Sequence, residues 1–180
     1  MAKPKVASDW MAGCAGCHMS LLDMDERILK IVELADIRAT PITDLKEPDA
    51  GGVDVGVLEG GINNTANEEV AHKMRKRAKI LVALGDCAVF GGVPAMRNFC
   101  GIQEALRRAY IEAESNDGEG KIPDDPELAT MTKVRALHEV VPVDVFVPGC
   151  PPDADVIFHV LSELAQGRKP ELTGDLLHWH

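Results

Sequence analysis

The sequence predicts an α/β protein: a flavodoxin-like, doubly wound parallel sheet of five strands, in a single domain over residues 1–180. Three observations carry that expectation. Short β-like runs alternate with segments of helical period, which implies parallel strands joined by right-handed crossovers. One run, Lys79-Ile80-Leu81-Val82-Ala83-Leu84, is almost continuously apolar, as a strand covered on both faces must be. Three of the five strand ends lead straight into cysteine-bearing turns.

The first strand is Lys5-Val6-Ala7-Ser8-Asp9, and it runs into Trp10-Met11-Ala12-Gly13-Cys14-Ala15-Gly16-Cys17-His18. Ser20-Leu21-Leu22-Asp23 then offers a capping hydroxyl and an acid three residues on, so a helix is expected to start there. Leu22, Ile28, Leu29, Val32 and Ala35 continue its apolar face. Ile37-Arg38-Ala39-Thr40, closed by Pro41, is the second strand, and Lys46 to Gly52 is a turn-rich loop. Val53-Asp54-Val55-Gly56-Val57-Leu58 is the third, ending in the tight turn Glu59-Gly60-Gly61.

Thr65-Ala66-Asn67-Glu68 repeats the capping pattern ahead of a helix that carries Val70, Met74 and Ala78. Lys76 and Arg77 in its last turn suit the helix dipole. The fourth strand, residues 79–84, delivers Cys87. A helix is expected from Phe99 to Tyr110, and Glu112 to Pro126 is an acidic, exposed excursion. Val143-Asp144-Val145-Phe146-Val147 is the fifth strand and delivers Cys150. Pro151-Pro152-Asp153-Ala154-Asp155 opens the last helix, which buries Val156, Ile157, Val160, Leu161 and Leu164 and stops at Gly167. The tail Leu176-Leu177-His178-Trp179-His180 shows no element, and no internal repeat is present.

Composition narrows the function. Of the 180 residues 46 % are hydrophobic and 27 % charged, ordinary for a globular chain; aromatics are only 4 %, so aliphatic side chains must fill the core. A net charge of −10 argues against nucleic acid, which needs clustered Lys and Arg. No apolar run approaches the roughly 20 residues that span a bilayer, so no direct membrane insertion is expected. The N-terminal residues lack the pattern of an export signal, and a cytoplasmic location is the expectation. In that reducing setting the five cysteines are read as ligands or core thiols rather than disulfides.

Placement matters more than count. In an open parallel sheet every strand's carboxyl end lies along one edge. Cys14 and Cys17 follow strand one, Cys87 strand four and Cys150 strand five, so three distant segments are expected at one rim. Glu59 follows strand three and is the one acid expected there, in a proton-relay, partner-contact or loop-structuring role. Four thiolates suit a 4Fe-4S cluster or a tetrahedral zinc. Structural zinc usually takes two short Cys pairs, whereas one pair and two singletons suit the larger span of a cubane. Pro151 directly after Cys150 matches the Cys-Pro ending of bacterial ferredoxin runs. A thioredoxin-like dithiol and inert thiols remain as alternatives.

Cys100 is read as a small buried hydrophobe. His18, beside Cys17, is read as an exposed or locally bonded imidazole, with donation to a cluster sulfide as the alternative. His72, His138 and His159 stand singly on presumed helices, and Met19, Met24 and Met74 are read as core.

Cys14-Ala15-Gly16-Cys17, the Glu59-Gly60 turn, Gly85-Asp86-Cys87-Ala88-Val89-Phe90-Gly91-Gly92 and Pro148-Gly149-Cys150-Pro151-Pro152 together resemble the small subunit of nickel–iron hydrogenases. The 20-kDa subunit of respiratory complex I is a related family, but its first cysteines are adjacent, whereas two residues separate Cys14 from Cys17 here. No cysteine follows Cys150, which resembles the cytoplasmic NAD-reducing type. The resemblance implies an oxidoreductase subunit that carries no nickel. Its Cys14, Cys17, Cys87 and Cys150 would hold one 4Fe-4S cluster between a nickel–iron large subunit and flavin/iron–sulfur diaphorase subunits. Some relatives are credited with a flavin; no Ser/Thr-rich phosphate loop follows strand one, so FMN is not expected in this chain. The alternatives are the equivalent subunit of a complex I-like or membrane-linked hydrogenase, and a zinc-stabilised binding module.

Overall fold

The computed structural model describes residues 2–46, 50–116, 118 and 120–177. The tail His178-Trp179-His180 and part of the loops at 46–52 and 112–126 lie outside them. In chain order come β1 (Lys5–Trp10), α1 (Gly16–Leu22), α2 (Arg27–Leu34), β2 (Asp36–Ala39), β3 (Val53–Glu59), β4 (Ile62–Asn64), α3 (Thr65–Arg77) and β5 (Ala78–Leu84). Then follow α4 (Gly85–Phe90), a 3-10 segment (Val93–Phe99), α5 (Ile102–Tyr110), β6 (Met131–Arg135), a 3-10 turn (Leu137–Glu139), β7 (Val145–Val147), α6 (Ala154–Ala165) and a last 3-10 turn (Gly174–Leu177).

Five strands form one parallel sheet in the order β2-β1-β3-β5-β7. Counted along that sheet, this is the flavodoxin-like 2-1-3-4-5 arrangement. Each strand reads differently on its two faces because successive side chains alternate. Val55, Val57, Val82, Leu84 and Val147 pack under Ile31 of α2 and Ile157, Val160 and Leu164 of α6. Leu58, Leu81 and Ala83 face Ala71 and Met74 of α3 and Ala88 of α4. Leu58 and Leu81 are fully buried, and each such side chain contributes roughly 1.5–3 kcal/mol.

Several local expectations are corrected. The helix expected to run from Ser20 to Ala35 is two helices, broken where Asp25 adopts a positive φ of 50°. Ser20 caps nothing: it is buried inside α1, and its hydroxyl donates to the Pro152 carbonyl at 2.5 Å. The cap of α3 is Asn64, which accepts the Asn67 N–H at 2.8 Å. Such a cap stabilises a helix by about 1 kcal/mol. Thr65 instead accepts the Thr130 N–H at 3.1 Å.

The segment expected as one helix from Phe99 to Tyr110 divides at Cys100 and Gly101 into the 3-10 segment and α5. Pro151 and Pro152 precede α6, whose cap is Asp153, accepting the Asp155 N–H at 2.7 Å. β4 and β6 add an antiparallel pair that the sequence pattern does not announce. Asn98 bonds both the N–H and the carbonyl of Val134 at 2.9 and 2.8 Å, which ties the 3-10 segment to β6. Among the described residues no helix is long and apolar enough to cross a membrane.

Candidate functional site

Strand register sets the site. Trp10 lies beside Glu59, Glu59 beside Leu84, and Leu84 beside Val147. Four strands therefore end in one row, and the chain leaves that row through the loops bearing Cys14, Cys17, Cys87 and Cys150. The first loop is fastened to the turn after β3 by reciprocal bonds between Ala12 and Gly61, 3.0 and 2.7 Å. Ala15 takes a left-handed φ of 63°, turning the chain into α1 so that Cys17 falls in its first turn.

Cys87 follows β5 by way of Gly85, whose φ of +81° favours glycine and whose missing Cβ leaves space that Cys17 Sγ fills. Gly92 wraps the other side: a Cβ there would lie 2.9 Å from the backbone nitrogen and Sγ of Cys87. The Cys150 loop is clamped to the Cys87 loop through Asp86. The Asp86 N–H donates to the Gly149 carbonyl at 2.9 Å, and Asp86 Oδ1 accepts the Gly149 N–H at 2.7 Å.

All four predicted cysteines line one cavity of about 80 Å³. That is several times the roughly 10–15 Å³ that one water-sized body needs. Cys17 and Cys87 are half-buried, while Cys14 and Cys150 are exposed, so the cavity opens at the surface. Burial first, then the charge of Glu59 and of the neighbouring sulfurs, pushes the Cys17 thiol far above its ordinary value. Burial also raises Cys87. The Val93 N–H works against that rise, and Cys150, Cys14 and Asp86 add to it.

Glu59 is 2 % exposed and reaches the same cavity. Its Oε2 accepts the His18 backbone N–H at 2.7 Å and meets His18 Nδ1 at 2.5 Å. The other ring nitrogen lies 2.9 Å from the Ser8 hydroxyl, which donates to Thr40 at 2.9 Å. His18 is thus fully buried and locally bonded, with both nitrogens engaged by protein; the exposed reading and the sulfide-donor reading are both set aside. Glu59 ties β3 to the start of α1, a loop-structuring contact.

Other readings fare variously. Cys100 is exposed rather than buried, because it sits at the joint between two helical segments instead of on an inward face. Met24 and Met74 are core, but Met19 is 45 % exposed. His72 is exposed beside Glu68, His138 packs edge-on to Phe146, and His159 lies 3.2 Å from the Glu171 carbonyl. Sequence reasoning misses Asp86, a second acid at the rim, and the Ser8–Thr40 pair. The available signal for Asp86 is its place one residue before Cys87. Along the segment that wraps Cys87, Phe90, Val93, Met96 and Phe99 are exposed, Phe99 to 92 %. Contiguous apolar exposure of that kind marks contact surfaces.

Fold and site together define a flavodoxin-like α/β protein with four thiols gathered at its carboxyl edge. The chain belongs to the family described as NADH ubiquinone oxidoreductase, 20 Kd subunit, which matches residues 14–164. It is 40 % identical over 178 residues to the NAD-reducing hydrogenase HoxS subunit delta of Cupriavidus necator, covering 97 % of this chain and 84 % of that one. It is also 40 % identical over 172 residues to one subunit of the F420-non-reducing hydrogenase of Methanothermobacter marburgensis. That match covers 94 % of this chain but spans only 56 % of the relative. A chain in the crystal structure of an NAD+-reducing [NiFe]-hydrogenase in the H2-reduced state superposes with a TM-score of 0.93 at 38 % identity. The match covers 99 % of this chain and 100 % of that one.

Proposed function

We propose that Cys14, Cys17, Cys87 and Cys150 hold one 4Fe-4S cluster, and that the chain is the small electron-transfer subunit of a cytoplasmic NAD-reducing nickel–iron hydrogenase. The observation that carries this reading is the row of strand ends that brings four thiols from three loops around one cavity. The donor set fits the group: four cysteine sulfurs are the usual ligands of such a cluster. Structural zinc usually takes two short Cys pairs, whereas one pair and two single cysteines from three loops around one cavity suit the wider cubane. When bound, the cluster supplies one-electron transfer.

The chain's own residues do the rest. Gly85 and Gly92 let backbone and sulfur approach closely, Asp86 fixes the distance between two ligand loops, and Glu59 with His18 anchors the third. The exposed apolar run from Phe90 to Phe99 suits the contact with a large subunit carrying the nickel–iron centre. Flavin/iron–sulfur subunits that reduce NAD would take the electrons onward. The coverage of the HoxS delta subunit and of the NAD+-reducing structure supports this arrangement over its runner-up. That runner-up is the equivalent subunit of a hydrogenase serving another acceptor, favoured by the equal identity to the F420-non-reducing relative.

The test is iron, sulfide and zinc analysis of the native complex with its subunits identified. About four iron atoms and four sulfides assigned to this chain, with an NAD-reactive flavoprotein alongside, are expected. One zinc and no iron per chain would overturn the cluster reading, and a partner set lacking that flavoprotein would favour the runner-up.

A further inference from the structure

Two carboxylates face the four-thiol cavity, Glu59 and Asp86, and among the described residues that line it there is no lysine, arginine or histidine. Their surroundings differ. Glu59 is buried against His18, which meets one of its oxygens through both the ring and the backbone N–H. Asp86 is half-buried, has no cationic partner among the described contacts, and takes the Gly149 N–H through Oδ1. It stands one residue before Cys87 on the first turn of α4, and its own N–H returns a bond to Gly149.

Resting on the cluster reading above, we propose that Asp86 has two separable duties: its negative charge lowers the reduction potential of the cluster, and its bond to Gly149 sets the spacing of the Cys87 and Cys150 loops. A cluster held by four thiolates is already anionic, and reduction adds one more negative charge beside a fixed carboxylate. Net charge and hydrogen bonding near the sulfurs are recognised levers on cluster potential. The sign is unambiguous: a neighbouring anion disfavours the reduced state. Other acids lie farther from the cavity: Asp153 and Asp155 sit at the start of α6, where Arg27 pairs with Asp155. Asp86 is therefore the cavity-lining carboxylate that adjoins a ligand in the chain and has no cationic partner among the described contacts.

The two duties come apart in substitution. Asp86→Asn keeps an oxygen that accepts the Gly149 N–H and removes the charge; Asp86→Ser is a second neutral acceptor. In the anaerobically isolated complex, both are expected to retain wild-type iron and sulfide. In an EPR-monitored redox titration the cluster's midpoint is expected to move upward. Because Asp86 is half-exposed and screened, the shift should be about tenfold in the reduced-to-oxidised ratio at fixed ambient potential, which is about 59 mV for one electron. Asp86→Ala, which deletes the acceptor as well, is expected to lose iron in addition. An unshifted or lowered midpoint in both neutral variants, with the cluster intact, overturns the charge assignment. Loss of the cluster from both overturns the claim that the hydrogen bond alone does the positioning. Absence of iron from the wild-type complex is a different failure, and it removes the cluster reading itself.

Discussion

The two edges of the parallel sheet treat charge in opposite ways. At the amino edge, Asp54 accepts the Lys79 ammonium and the Lys5 N–H, both at 2.7 Å. These contacts, Lys79 first, hold its carboxyl below the ordinary range. Beside it, Asp144 is opposed by partial burial. The Leu81 N–H at 2.7 Å and the Arg75 guanidinium at 2.5 Å outweigh that and lower it as well. At the carboxyl edge, thiols stand beside one another and beside Glu59 and Asp86, and the Cys17 and Cys87 thiols are pushed up. One edge satisfies its own charges; the other gathers groups that resist ionising together. Ligand thiols must give up their protons to bind metal, so such a concentration is stable when iron takes the place of those protons.

The largest way to break this comparison is Cys87→Ser. On the proposed function it removes the iron chromophore and hydrogen-dependent NAD reduction, while NADH oxidation by the flavin partner continues. Unchanged hydrogen oxidation in the variant would refute the ligand assignment. The amino edge should respond differently. Asp144→Ala strands the Leu81 N–H and is expected to cost about 1–3 kcal/mol in denaturant unfolding, with iron content unchanged. Because the Asp144 and Asp54 carboxyls are lowered in the fold, their contribution is present above the ordinary value of 3.8 and is lost as the pH falls below it. Acid unfolding should therefore be shallower in Asp144→Asn than in the parent, and an identical acid profile would count against the pairing.

The opposite sign holds at the other edge. In the iron-free chain a raised Cys17 thiol makes the fold hold a proton that the unfolded chain releases. That contribution is whole below the ordinary thiol value of 9.0 and is lost as the pH rises above it. The midpoint of thermal unfolding of the apo chain should fall from about pH 9 upward, and less so in Cys17→Ala. A flat alkaline profile in the apo parent would remove the electrostatic contrast between the edges.

What was legible in the sequence follows the strength of each local signal. The parallel sheet was legible because residues 79–84 are apolar on both faces, and the rim because strand ends in such a sheet share an edge. The four cysteines follow from that geometry alone. The break between α1 and α2 was hidden, since Leu22, Ile28 and Leu29 keep a helical period across it while the backbone turns at Asp25. Ser20 looked like a cap because hydroxyl and acid stand at capping distance; the burial that sends it to Pro152 comes from α6, far along the chain. β4 has three residues and β6 five, too few for alternation to declare itself. Asp86 and the Ser8–Thr40 pair act through bonds to distant loops, which no local pattern encodes.

The smallest expected effect sharpens the comparison most, because it separates thiols by place rather than by chemistry. Cys100 is exposed, and its sulfur contacts only the Arg97 carbonyl, at 3.4 Å, among the hydrogen bonds of the described residues. It lies beyond the cavity lined by the other four cysteines. No core packing depends on it, so Cys100→Ser exchanges one small polarisable group for a hydroxyl at the surface. Substitutions of that kind usually stay within about 0.5 kcal/mol. Iron content, the visible chromophore and hydrogen-dependent electron flow should all match the parent. A bleached chromophore in Cys100→Ser would mean that ligands are not chosen by the row of strand ends, and the division of the sheet into a self-satisfied edge and a metal-gathering edge would fail with it.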